Sequence, residues 1–145
     1  MEYRLEECIS NSLQYVFEPA FGQRAKYTAN TGMNLLATAN TNLDGSTGTY
    51  YTLLTGASNG TILHSITVKV NTTGNTTRGM IRLFLGGLLV DEINVDNVYQ
   101  SAVDRSFTKM YDSGIWIASG QVLKASTYNT GSFVVIAEGS DITYP

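Results

Sequence analysis

The chain has one histidine, His64, and one cysteine, Cys8, so a serine triad or a cysteine–histidine pair would have to draw on them. A serine nucleophile needs a base to take its proton, and His64 is the sole imidazole. The G-x-S-x-G turn that would expose such a serine is absent. A Cys8–His64 pair would draw its nucleophile from the least domain-like part of the chain. His64 itself reads as a hydrogen-bonded structural residue within a strand. Zinc requires several Cys or His ligands and would find one of each. For calcium, the nearest oxygen groupings are Asp91, Glu92 and Asp96, or Glu138 and Asp141. Neither has the EF-hand offsets around a glycine, and both read as solvated charges at strand ends. A carboxylate pair for sugar hydrolysis need not be local, and no two acids stand out for it. The expectation is a non-enzyme with no catalytic residue, no metal and no cofactor.

Two further groups could bind rather than react. Tyr50, Tyr51, Tyr111, Trp116 and Tyr128 could stack on sugar rings, although strand tyrosines also pack at the rim of a sheet. The stretch NTNLDGSTGTYYTLLTGASNGT, residues 40–61, is rich enough in glycine to suggest a ligand loop. It has neither G-x-G-x-x-G nor a Walker pattern, and no helix follows to present an anion site. It reads instead as turn chemistry at Asp44-Gly45 and Gly48, a strand over 49–54, and a turn at Ser58-Asn59-Gly60.

The elements that would carry these residues are strands. Of the 145 residues, 43% are hydrophobic and only 14% charged, below the usual fraction of about 25%. Thr, Ser, Asn and Gly supply the polarity, and these are strand and turn residues. Chain length fits one domain. The net charge of −3 has no basic run, so no nucleic-acid partner is indicated. No apolar run approaches the roughly 20 residues of a membrane span. The N-terminus lacks a basic start and apolar run, and a single cysteine excludes an internal disulfide. Synthesis in a reducing cytoplasm is expected, with the N-x-S/T sequons at Asn59, Asn71 and Asn75 as by-products of Asn/Thr-rich loops.

Strands are predicted over 61–70, 80–85, 88–95, 106–111, 115–118, 121–127 and 132–139, in addition to 49–54. In TILHSITVKV, Ile62, His64, Ile66, Val68 and Val70 fall on one face by alternation, and Thr61, Leu63, Ser65, Thr67 and Lys69 on the other. Gly86-Gly87 reads as a tight hairpin. The phase slip in LLVDEINV calls for a bulge near Asp91-Glu92. Apolar residues on both faces of SFVVIAEG mark a central or interface strand. About eight short strands at this spacing predict an all-β fold, an antiparallel, jelly-roll-like β-sandwich over 37–145. Residues 1–36 stand apart. Leu5, Ile9, Leu13 and Phe17 recur at helical spacing, and the segment reads either as a short helix docked on the domain or as an anchoring arm.

Taken in order, the motifs of residues 37–141 resemble a structural protein of tailed bacteriophages. ATANTNLDGSTGTYY leads to TGASNGTI, then to the ITVKV and GMIRLFL strands, then to SGQVLKAST and FVVIAEGSD. The resemblance implies a β-sandwich virion component made in the host cytoplasm. A capsid-decorating (auxiliary head) protein on the major capsid lattice is the implied role, with a head-fibre or tail-surface protein second. The family pattern supplies no catalytic residue. Residues 91–106 and the N-terminal segment depart from it. Implied partners are the major capsid protein or other virion proteins, and further copies of the chain, with a trimer invited by lattice threefold positions. Tyr3, Leu5, Ile9, Leu13, Phe17 and Phe21 are the expected capsid or subunit contacts. The alternative role is a carbohydrate-binding adsorption module using the aromatic residues named above.

Overall fold

The computed structural model describes residues 24–70, 79–95 and 106–144. They form eight strands: β1 (Lys26–Leu36), β2 (Tyr51–Thr55), β3 (Thr61–Val70), β4 (Gly79–Leu85), β5 (Leu88–Val95), β6 (Ser106–Ile117), β7 (Val122–Thr127) and β8 (Phe133–Thr143). A first sheet has the order β1-β8-β3-β6 and a second the order β2-β7-β4-β5. Every strand pair is antiparallel. Four of the pairings nest, β4 with β5, β3 with β6, β2 with β7 and β1 with β8. The chain is thus one long hairpin folded back on itself and rolled into two layers, which is the jelly-roll solution to burying two sheet faces.

The core lies between the sheets. Leu63, Ile66 and Val68 of β3, Val135 and Ala137 of β8, Ile81 and Leu83 of β4, and Leu123 and Ala125 of β7 are buried, with Leu36 and Ile117 closing the ends. The hairpin at Gly86-Gly87 forms as the sequence predicts, and β5 carries its bulge at Val90, one residue ahead of the predicted place. β8 lies between β1 and β3, as its two apolar faces require.

Three features differ from the sequence expectation. First, residues 26–36, assigned to the N-terminal segment, form β1 and pair with β8 along its length. Of its inward positions Asn30 and Asn34 are polar, Gly32 has no side chain and only Leu36 is apolar, so hydrophobic alternation does not reveal it. Asn30 and Asn34 donate to the carbonyls of Thr55 and Thr52 in the facing sheet, at 3.3 and 3.1 Å. Second, the strands expected at 106–111 and 115–118 are one strand, β6, whose irregularity at Tyr111–Gly114 leaves its pairing to β3 intact on either side. Third, β3 does not alternate throughout. A bulge at His64 reverses its phase, so Thr61 and Leu63 face the core with Ile66 and Val68, while His64 is exposed and Ile62 only half-buried.

Loop 37–50 leaves the edge of the first sheet and straps the outer face of the second. Asn40 N–H donates to the Thr127 carbonyl at 2.8 Å, Arg82 Nη1 to the Thr41 carbonyl at 3.3 Å, and Lys124 Nζ to the Gly45 carbonyl. Phe84, on that outer face, is thereby fully buried.

Candidate functional site

The five aromatic residues proposed for stacking are positioned by different elements and do not converge. The hydroxyl of Tyr51, at the start of β2, accepts from the N–H groups of Ala37 and Thr38 at 3.2 and 3.1 Å. The Thr38 N–H, then the Ala37 N–H, lower its pKa against the opposing effect of burial. Tyr50 packs edge-on against Phe84 with centroids 5.2 Å apart, and the Lys124 ammonium lies 5.2 Å from its ring centroid. Tyr128 lies under the Arg82 guanidinium at 4.9 Å, and Arg82 is also held by Glu92 at 2.8 Å. Tyr111 donates to Asp91 at 2.5 Å across the β5–β6 edge. Trp116 is 54% exposed on β6, its ring so close over Gly60 that a Cβ there would come within 2.0 Å of it. The first four are tied into intramolecular contacts, and Trp116, on β6 like Tyr111, keeps half of its surface open while its ring packs over Gly60.

The acids considered for calcium are also engaged in the fold. Asp91 accepts from Lys109 at 2.9 Å as well as from Tyr111. Burial would raise its pKa, and the hydrogen bonds from Lys109 and Tyr111 outweigh that and lower it. Burial, then the Asp91 hydrogen bond, raises the Tyr111 pKa far above the phenol range. Asp141 accepts from Thr61 at 2.6 Å and Asn30 at 2.8 Å. Among the described residues no group of three His, Cys, Asp or Glu could hold a metal. Asp96, Cys8 and the proposed contacts Tyr3, Leu5, Ile9, Leu13, Phe17 and Phe21 lie outside the described residues.

What the sequence does not show is a cavity on the outer face of the first sheet. It holds about 310 Å³ and is lined by Tyr27, Ile62, His64, Ser140 and the 112–114 segment. Register explains the convergence: Ala29 pairs with Ser140, Ser140 with Ile62, and His64 follows two residues after Ile62 on the same side, before the bulge turns Ile66 and Val68 inward. His64 Nε2 and Ser140 Oγ share a hydrogen bond of 2.8 Å. Among the described residues no carboxylate is hydrogen-bonded to His64, so the pair lacks the group that orients a catalytic imidazole. The hydrogen-bonded reading of His64 fits this geometry, but its position is a cavity wall. Further along this outer face Met33 and Leu35 are exposed on β1 beside half-buried Ile136 and Val134 on β8, and Thr31, Glu138 and Lys69 are exposed among them.

No family model matches the chain, and no curated protein matches it. Among solved structures, a chain of the acidic stable capsid structure of Helicobacter pylori bacteriophage KHP30 is similar, with a TM-score of 0.52 and 11% identity. The likeness covers 84% of this chain and 97% of that one. At this identity the two share a fold, a rolled all-β sandwich of comparable length.

Proposed function

We propose that the chain is a structural component of a tailed-phage virion, and within that class a capsid-decorating protein on the major capsid lattice. The observation that carries the reading is the likeness of fold to a chain of a phage capsid structure over 97% of that chain. The ordered turn-and-strand motifs of residues 37–141 point the same way independently. The architecture suits the role. The roll is braced at both lateral edges, by Asn30 and Asn34 on one side and Lys109, Asp91 and Tyr111 on the other, and it is strapped by its own 37–50 loop. Such bracing suits a part that must persist in a particle, and the role requires no catalysis.

Attachment is assigned to the segment ahead of β1, because Lys26–Leu36 is already paired with β8. Tyr3, Leu5, Ile9, Leu13, Phe17 and Phe21 would meet the shell or neighbouring subunits. The test is an electron cryomicroscopy map of particles carrying the full chain, beside particles made with a chain lacking residues 1–23. The expected map shows many regularly spaced copies on the head, absent for the truncated chain. A few copies at one vertex or on the tail would replace decoration with a fibre or tail role. Normal incorporation of the truncated chain would remove the anchor.

A further inference from the structure

We propose that the cavity on the outer face of the first sheet binds one neutral sugar unit of a glycan. Side chains from all four strands reach it: Tyr27 from β1, Ser140 from β8, Ile62 and His64 from β3, and Asp112 from β6. Its walls exist because both β3 and β6 break register at the same place. The pairing jumps from Leu63–Ile115 to Ser65–Met110, leaving His64 alone opposite Tyr111–Gly114. Gly114 makes the return possible with φ of 75°, a left-handed conformation that a side chain rarely adopts. Paired bulges of this kind re-aim side chains next to binding sites. The volume, about 310 Å³, is at the small end of ligand cavities.

The lining chooses the ligand class. A sugar ring presents an apolar C–H face and a rim of hydroxyls. The Tyr27 ring, 64% exposed, and Ile62 offer the apolar side. Asp112, Ser113, Ser140 and His64 offer acceptors and donors for hydroxyls. Among the described residues no lysine or arginine lines the cavity, so none of them supplies a permanent cation to hold a phosphate or a sugar acid. Tyr27 lies about 26 Å along β1 from Leu35, so the site occupies one end of the face and leaves Met33 and Leu35 for other contacts. The inference does not depend on the virion role, because it is tested on the isolated chain.

His64 is the only histidine, so its imidazole NMR signals report the cavity without assignment ambiguity. The full chain is titrated with methyl glycosides of neutral hexoses and, separately, with inorganic phosphate. The expected result is a saturable His64 shift with at least one glycoside, at a dissociation constant of about 1–10 mM. Tyr27→Ala and Asp112→Asn weaken it at least tenfold while melting like the parent. Leu88→Ala, on the β4–β5 hairpin of the other sheet and outside the cavity lining, leaves it unchanged. The proposal is overturned if no glycoside gives a saturable shift, if phosphate alone does, or if the Tyr27 and Asp112 variants titrate like the parent.

Discussion

Asn40 Nδ2 donates to the Thr47 and Thr49 carbonyls at 3.1 and 3.0 Å, and its Oδ1 accepts from Asn42 N–H at 3.0 Å. Gly48, with φ of 96°, lies so close to this carboxamide that a Cβ there would come within 2.7 Å of it. One buried side chain therefore sets the path of the strap. Ser126, on the face under the strap, is also buried, but its Oγ has no hydrogen-bond partner among the described residues. Opposite responses follow. Asn40→Ala strands several backbone groups and should cost about 2–3 kcal/mol, seen as a fall of roughly 5–10 °C in the melting temperature. Ser126→Ala removes a desolvated hydroxyl that gains nothing in return, and should be neutral or stabilising by up to about 1 kcal/mol. Urea titration of both variants checks the pair. An Asn40→Ala protein as stable as the parent would show that the strap is held from elsewhere.

At the scale of elements, the two sheets meet along edges that are closed differently. On the β1–β2 side the strands approach so closely that a Cβ on Gly32 would lie 1.6 Å from the Leu53 carbonyl oxygen. Backbone cannot yield as a flexible side chain can, so Gly32→Ala should push β1 off β2 and cost about 3 kcal/mol or more by thermal melting. Gly120→Ala is the contrast. Nothing lies within 4 Å of its Cβ position, so only its φ of 75° resists, at a cost of about 1–2 kcal/mol. The β5–β6 side is closed by charge. The Asp91 pKa is lowered in the fold, so its contribution is complete above the ordinary carboxylate value of about 4 and is lost as pH falls through the lower folded value. The Tyr111 pKa is raised, so its contribution is complete below the ordinary phenol value of about 10 and is lost only as pH rises through the higher one. Asp91→Asn should therefore lose about 1–3 kcal/mol at neutral pH and converge with the parent in acid. Urea midpoints that stay equally separated down to about pH 2 would refute the ionised clasp. These edges also explain what was legible in the sequence. β3, β4, β5 and β8 bury apolar residues densely enough to be read directly as strands, although the bulge at His64 hid the phase of the first half of β3. β1 could not, because Asn30, Gly32 and Asn34 turn polar or empty positions inward, where Thr52 and Thr55 carbonyls or a close backbone await them. The cavity could not be read because Tyr27, Ile62, His64, Asp112 and Ser140 are scattered along the chain and meet only through register.

For the whole molecule, nesting makes the two ends of the described chain interdependent. Lys26 pairs with Thr143 and Leu36 with Phe133, so β8 has β1 as one of its two neighbours along its length. Leu36, fully buried, also belongs to the core between the sheets. A cut after residue 23 preserves every described strand, whereas a cut after residue 36 removes one side of the roll. It would leave a row of unpaired β8 backbone groups, a template for pairing with other chains, and would open the core at Leu36. The 24–145 chain should therefore stay monodisperse on size exclusion and melt in one cooperative transition. The 37–145 chain should aggregate or lose its transition, although residues 37–145 contain the whole of the phage-like motif series. If 37–145 instead melts cooperatively as a soluble monomer, β1 is an accessory to the domain, and the proposed attachment segment would extend through it to residue 36. If it fails, as the pairing requires, β1 is a wall of the domain, and the proposed attachment would be sought ahead of Lys26 or on the open face that β1 shares with β8.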